Sequence, residues 1–268
     1  MEQSLRLDVF CRMLADLGTP VRPGMRLLDF GCGEGGTVKA ALEHGIDAWG
    51  CDLGRREAAW NALSDCVGSV RLRDRLRLIR TDPYRLPFAN ASFDVVISQE
   101  VFEHVQNYAE TIDELHRILR PGGVFLHSFP SRYRPIEGHV YVPFASMFRP
   151  RWWLWLWALL GVRNPFQHGL PAREVVRLNA EYLPRATNYL PPGRIRREFA
   201  RRFGRVEFVE RLFLPYSGRA KVFLHVPGGA TIYGLFFSRF IYGMRDPVLD
   251  AAPSGQPQTQ ELYSRPLS

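Results

Sequence analysis

The sequence predicts an α/β fold with a doubly wound, mostly parallel sheet. Three observations carry that prediction. As far as Phe129, apolar runs of strand length alternate with segments of helical periodicity, the pattern that lays helices on both faces of a parallel sheet. A glycine-rich turn, residues 31–36, follows the first apolar run. Acids recur where the next strands end, at Asp52 and Asp82, on the sheet edge where such folds bind ligands.

The elements follow in order. Leu7, Phe10, Met13, Leu14 and Leu17 recur at helical spacing, predicting a helix over 3–18 that Gly18 closes. Strands are expected over 25–30, 47–53, 76–81, 93–98 and 124–129, and helices over 37–44, 55–66 and 107–119. After Pro130 the alternation stops. Residues 131–192, rich in proline and aromatics, read as an insertion of helices and loops over one end of the sheet. Residues 193–250 complete the sheet, with a helix over 194–203 and strands over 206–214 and 221–226. The apolar stretch 232–242 reads equally as helix or strand. The domain plan is therefore an N-terminal helix and cofactor half (1–130), a substrate insertion or lid (131–192), a C-terminal completion (193–250) and a disordered tail (251–268) rich in Pro, Ser and Gln.

The chain of 268 residues is 46% hydrophobic and 23% charged, a globular composition. Its net charge of +8 is uneven. The stretch from Arg132 to Arg211 holds 15 Arg, no Lys, 6 Glu and no Asp, which suggests an acidic substrate, a phosphate or an anionic membrane surface, or else a solvated arginine-rich face. None of Cys11, Cys32, Cys51 and Cys66 forms a C-x-x-C pair, so no zinc or other metal site is expected and a reducing cytoplasm is the simplest compartment. The N-terminus has acids within its apolar pattern and does not read as a signal peptide. The most apolar run, Trp152 to Val162, is eleven residues long, against the ~20 that a spanning helix needs.

Gly31, Gly33 and Gly36 make a literal G-x-G-x-x-G between strand and helix, a pattern that by itself suggests a dinucleotide fold. The acids oppose it. A pyrophosphate needs positive potential at the helix N-terminus, and Asp29 and Glu34 stand there instead. A cofactor with a cationic amine and a sulfonium would be attracted. Asp52, at the end of the second strand, suits paired ribose hydroxyls, and Asp82 suits an exocyclic adenine amine.

With these residues in place, the sequence resembles the class I S-adenosylmethionine-dependent methyltransferases over about 25–129. The resembling features are the D-x-G-x-G of Asp29, Gly31 and Gly33, the acid Asp52, the Asp82 loop, and Phe93-Asp94 opening the fourth strand. Glu103-His104-Val105 and the Arg120-Pro-Gly-Gly123 turn complete the set. The resemblance implies a Rossmann-like sheet of seven strands whose last strand is antiparallel, with S-adenosyl-L-methionine as cofactor. It places Asp29 at the amino-acid end, Gly31, Cys32 and Gly33 along the cofactor, and Asp52 and Leu53 at the ribose and its surroundings. Asp82 and Pro83 fall at the adenine and Gln99 near the methionine end. Residues 131–192 are the least family-like part, so the substrate does not carry over.

Methyl transfer to a hydroxyl usually needs a base. His139 leads, since it follows the fifth strand and has Glu137 two residues away to orient it; His104 is second and His168 third, each against a packing role. The Trp-rich run, flanked by Arg149, Arg151 and Arg163, reads either as a fully buried helix or as an interfacial segment. The expected activity is O-methylation of an amphipathic or lipid-linked small molecule or glycan, in the cytoplasm and peripheral to an anionic membrane. N- or C-methylation is the alternative. Nucleic acid is set aside because no accessory binding module is recognisable.

Overall fold

The structure is a computed structural model, and it describes residues 2–54, 57–62 and 64–247. The 251–268 tail expected from composition lies outside the described residues. The seven-stranded sheet comprises β1 (Arg26–Phe30), β2 (Asp47–Asp52), β3 (Leu76–Leu78), β4 (Phe93–Gln99), β5 (Leu119–Pro130), β6 (Val206–Phe208) and β7 (Ser238–Met244). Its order is β6-β7-β5-β4-β1-β2-β3. Strands β1 to β5 pair in parallel, while β7 runs antiparallel to both β5 and β6. The strand order reverses between β1 and β4, which opens a crevice at their carboxyl ends.

Strand side chains alternate between two cores. Leu27, Val95, Ile97, Val124 and Leu126 face one core, which α1 (Glu2–Asp16) and α2 (Gly36–Glu43) cover. Leu28, Phe30, Val96 and Phe125 face the other, under α4 (Tyr108–Ile118) and α7 (Pro192–Phe203). Helix α1 buries Leu7, Phe10, Met13 and Leu14 along one stripe. It ends where the Gly18 amide (φ 77°) bonds Ala15 O and Thr19 N bonds Leu14 O, with glycine supplying the left-handed closing residue. Asp94 ties the opposite end of the sheet together. It accepts from Arg26 N at 2.6 Å and pairs with Arg120 at 2.5 Å, so this family-like position has an architectural task far from the ligand edge.

Several expected elements are corrected. Among the described residues, the helix expected over 55–66 is limited to α3 (Glu57–Asn61), and Cys66 already sits in a small hairpin. The strand expected over 76–81 leaves the sheet after Leu78, and Arg80 and Thr81 pair with Tyr84 and Arg85 in a second hairpin. The strand expected over 206–214 ends at Phe208. There Glu210 opens α8 (Glu210–Phe213) and pairs with Arg239 of β7 at 2.8 Å, both buried. Residues 220–225 form a 3₁₀ turn rather than a strand. The ambiguous stretch 232–242 divides: α9 (Gly229–Phe236) stops at Phe237, and β7 begins at Ser238. An all-round apolar run has no period, so only pairing with β5 decides it.

The insertion forms its own small core. Val140, Val142, Ala145, Leu154, Ala158, Val175, Val176 and Leu183 pack between α5 (Arg151–Leu159), α6 (Ala172–Ala186) and the loop before them. Helix α5 is not fully buried, contrary to one of the two readings of the tryptophan run. Leu154 and Ala158 are buried, Trp153 and Trp157 half-buried, and Trp152 and Trp155 exposed.

Candidate functional site

The turn after β1 is fixed by backbone conformation. Gly31 (φ 77°) donates to Cys51 O at 2.8 Å, so the loop folds against the end of β2. A Cβ on Gly31 would lie 2.3 Å from Cγ2 of Val101, hence the position admits no side chain. Cys32 is buried, and its amide also bonds Cys51 O. Gly33 (φ 55°) opens onto free space, and a Cβ there would meet nothing within 4 Å. Asp52 holds this loop. One carboxylate oxygen accepts from Gly33 N and the other from Leu53 N, each at 2.7 Å. Trp60 of α3 donates to Gly33 O at 2.8 Å. Leu53 presents an exposed apolar side chain next to Asp52. Helix α2 starts at Gly36 with Gly35 as its cap, so Glu34 lies in the loop and does not open the helix as expected.

Asp29 is buried beneath this loop. Burial pushes its carboxyl up to about 7; a hydrogen bond from Thr37 opposes the shift and the charge of Asp52 adds to it. A buried carboxyl of this kind gains most from an incoming cation. The residues present thus fit a ligand with a cationic amine and a nucleoside: a buried acid, a glycine-rich loop open at Gly33, and a half-buried acid beside an apolar residue. Asp82 and Pro83 lie exposed in the tight turn between the two short hairpin strands, and Gln99 is half-buried as the last residue of β4.

The chain then turns sharply. Glu100 takes φ 53°, a conformation unfavourable for a side chain and often found at functional sites. Val101 covers Gly31, and three residues on, His104 meets His139 edge to face at 4.8 Å between ring centroids. The two leading base candidates, 35 positions apart in the sequence, are neighbours. His104 Nδ1 bonds Ala186 O at 2.6 Å. His139 Nδ1 lies 2.7 Å from a carboxylate oxygen of Glu137, which is 0% exposed. Tyr189 donates its hydroxyl to that same oxygen at 2.7 Å, and the other Glu137 oxygen accepts from the amides of His139 (2.8 Å) and Val140 (2.7 Å). Burial alone would raise this carboxyl, but these bonds outweigh it and hold it at about 2. Glu137 is therefore an acceptor only, so Nδ1 carries the proton and Nε2 of neutral His139 is the basic nitrogen.

Sequence reasoning misses Tyr189. It lies 52 residues beyond Glu137 at the far end of the insertion, and no local pattern connects the two. Glu103 enters the sequence reading only as part of a motif. It is buried, and burial pushes its carboxyl up to about 8. Arg132 donates to Tyr189 O at 2.6 Å, bringing part of the arginine block to the dyad. Much of the rest is committed elsewhere: Arg177 to Glu174 and Glu181, Arg202 to Asp113, and Arg205 to Glu207. His168 is exposed beside the 3₁₀ turn of the insertion and is not part of the dyad. Two open clefts of about 560 and 480 Å³ lie at the outer edges of the sheet, and neither is lined by Asp29, Gly31 or His139. Among the described residues no three His, Cys, Asp or Glu side chains are grouped to hold a metal.

Known proteins match the part of the chain that carries the glycine loop. Residues 28–127 match the family model described as a methyltransferase domain. A probable S-adenosylmethionine-dependent methyltransferase of Mycolicibacterium smegmatis is 37% identical over 110 residues, which is 41% of this chain and 39% of that protein. The 27-O-demethylrifamycin SV methyltransferase of Amycolatopsis mediterranei is 32% identical, over 39% of this chain and 38% of its own length. A sterol 24-C-methyltransferase of Gibberella zeae is 29% identical, over 39% of this chain and 27% of its own. The chain thus spans well under half the length of these relatives. Among solved structures, an S-adenosylmethionine-dependent methyltransferase from Mesorhizobium loti shares the fold, with a TM-score of 0.51 and 18% identity across 86% of this chain and 95% of that one. Residues 28–127 are thus a match to a methyltransferase domain, and the chain is similar to S-adenosylmethionine-dependent methyltransferases, whose cofactor is S-adenosyl-L-methionine.

Proposed function

We propose that the chain methylates an oxygen of an amphipathic small molecule, with His139 as the base. The observation that carries this reading is the Glu137–His139 dyad beside the turn that links β4 to the glycine loop. S-adenosylmethionine supplies an electrophilic methyl group on a sulfonium. In this reading Asp29 holds the amino-acid end, Gly31, Cys32 and Gly33 let the backbone approach, and Asp52 accepts the ribose hydroxyls through its remaining lone pairs. Leu53, Asp82 and Pro83 flank the adenine, and Gln99 stands near the methionine end. His139 Nε2 takes the acceptor's proton as the oxygen attacks, and Glu137 stabilises the imidazolium that forms. Tyr189 and the two backbone amides keep Glu137 aligned, and His104 packs against the base as a second member of the site.

The relatives span O-, C- and N-methyltransferases by name, so the acceptor atom rests on the dyad. An amine acceptor of low pKa would not need it, which makes N-methylation the alternative that an intact rate without His139 would favour. All four cysteines are free thiols, which supports the cytoplasm as the compartment. The deciding experiment incubates the protein with methyl-labelled cofactor and a lipid-plus-polar extract, then identifies labelled products by mass spectrometry. An O-methyl product supports the reading, and an N-methyl product replaces it.

A further inference from the structure

We propose that the outer face of α5 and the adjoining 222–237 stretch form a docking surface for an anionic lipid bilayer. Among the described residues, 19 large apolar side chains are exposed, and all but Leu53 fall within 136–182 or 222–237. On α5 and its last turn they are Trp152, Trp155, Leu156, Leu159 and Leu160, spaced i, i+3, i+4, i+7 and i+8, so they form a single stripe. The stripe faces away from the insertion's core, because Leu154 and Ala158 point inward and Trp153 is tied by its indole N–H to Pro143 O at 2.7 Å. Beyond the helix, Phe166 is 91% exposed in a turn whose conformation is locked by the Asn164 cap, which accepts from Phe166 N at 3.1 Å. A large ring held rigidly in the open is a poor choice for water contact and a suitable one for insertion among acyl chains.

The second patch borders the same edge of the sheet. Ser131 N bonds Phe237 O at 2.9 Å, Ser146 Oγ bonds Arg132 O at 2.6 Å, and Phe148 packs on Trp152 at 5.6 Å between centroids. These links connect Phe237 to α5 through the end of β5, next to the dyad-bearing loop.

Charge selects the occupant. Residues 138–173 carry Arg149, Arg151, Arg163 and Arg173 and no acid, and residues 211–245 carry no acid either, with Arg211, Arg219 and Lys221 exposed. A second copy docked through the same face would set these like charges opposite one another, whereas an anionic headgroup layer is complementary to them. Tryptophan favours the headgroup depth. Helix α5 has nine residues, too few to cross, and among the described residues no helix is long and apolar enough to do so. The surface would therefore lie on the membrane and open the site toward it. That last consequence, delivery of a lipid-tailed acceptor from the bilayer, rests on the methyltransferase reading; the docking does not.

The test is flotation of the full chain with phosphatidylcholine vesicles, with and without phosphatidylglycerol. The wild type is expected to float with the phosphatidylglycerol vesicles and to stay behind with phosphatidylcholine alone. The triple variant W152S/W155S/L159S should bind at least about tenfold more weakly at every salt concentration. R151Q should bind about fivefold more weakly at low salt, with the difference fading as salt rises. Circular dichroism and cofactor calorimetry check that the variants fold and hold their ligand, so loss of docking is separable from loss of chemistry. Three results would overturn the proposal: no flotation of the wild type with phosphatidylglycerol, equal flotation of the triple variant, or a concentration-dependent dimer that the triple variant abolishes in the absence of vesicle binding.

Discussion

The segment that carries the glycine loop, residues 26–130, and the segment 131–192 build their parts of the candidate site by different means. In the first, conformation is set by the backbone: left-handed glycines, parallel pairing, and carboxylates that accept from main-chain amides, as Asp52 does from Gly33 and Leu53. In the second, a side-chain network spans the whole segment, from Glu137 and His139 at one end to Tyr189 at the other. Backbone-built sites leave a local signature in sequence, because a positive φ calls for glycine and a strand end has a fixed place. Networked sites leave little, since any pair of positions that the fold brings together will serve.

The largest expected effect breaks the comparison on the insertion side. His139→Ala should lower turnover by about 10²–10⁴ and leave cofactor affinity within about twofold, because the proposed base lies in the 131–192 segment and not on the glycine loop. Steady-state kinetics with a hydroxyl acceptor, paired with calorimetry, separates the two quantities. A comparable loss in both would mean the dyad supports the cofactor loop instead.

On the backbone side, Gly31→Ala should be far worse than Gly33→Ala although both glycines have positive φ. The added methyl at 31 meets Val101 at 2.3 Å, and at 33 it meets nothing within 4 Å. A left-handed alanine costs about 1–3 kcal/mol, so thermal melting should show at least that loss for Gly31→Ala with cofactor binding abolished, and only the strain for Gly33→Ala. Equal stability of the two variants would remove Val101 from the account.

Asp52→Asn should weaken cofactor binding by roughly 1.5–3 kcal/mol, the usual range for hydrogen bonds to a charged group. Asparagine keeps one acceptor oxygen for the loop amides, which alanine would not; Asp52→Ala should therefore also lower the melting temperature. The sequence alone suggests a carboxylate suited to paired ribose hydroxyls, and the bonds to Gly33 and Leu53 add a structural task.

Asp29 supplies a pH dependence. Its carboxyl titrates at about 7 when buried without a cation, above the unfolded value of ~3.9. The folded state therefore holds more protons between those values, and this group's contribution to stability is full below the lower one and is lost as pH rises through the higher one. A cationic amine binds the carboxylate form, so binding must expel the proton below about 7. Cofactor affinity should fall up to about tenfold per pH unit as pH drops from 7 toward 5, and Asp29→Asn should be weak and flat over that range. A flat profile for the wild type would place the amine elsewhere.

The fold's first half is legible because its elements carry local marks. The Leu7–Leu14 stripe, the glycine turn and the acids at strand ends each announce a backbone event. The C-terminal part is less so. Val206–Phe208 is a three-residue edge strand, and the stretch after Ile232 is apolar on every face until Phe237 breaks it. Pairing with β5 distinguishes helix from strand there, and that is tertiary information. In the candidate site, motif and position single out Asp29, Gly31 and His139, whereas the adjacency of His104 to His139 leaves no mark in the sequence, because it depends on how residues 131–192 fold back over the end of β4.

The smallest effect tests whether the network is a unit or a set of independent bonds. Tyr189→Phe removes one donor from Glu137, while Nδ1 of His139 and two amides remain. Losing a single bond of a charged acceptor should cost about 1.5–3 kcal/mol if the carboxylate is left short of donors, and less if the others tighten. Stability should therefore fall modestly at neutral pH, with the loss shrinking as the medium is acidified. The sign follows from Glu137, whose folded value of about 2 lies below its ordinary 4.5. Its stabilising contribution is present above the unfolded value and disappears as pH falls toward 2. Turnover is expected to drop about three- to tenfold, with little change in the substrate's KM, because Tyr189 aligns the base through Glu137 and does not itself take the proton. Denaturant melts at several pH values and pH–rate profiles of both proteins measure these quantities. A Tyr189→Phe enzyme as slow as His139→Ala would mean that the hydroxyl acts directly on the acceptor, and Tyr189 would then replace His139 as the candidate base.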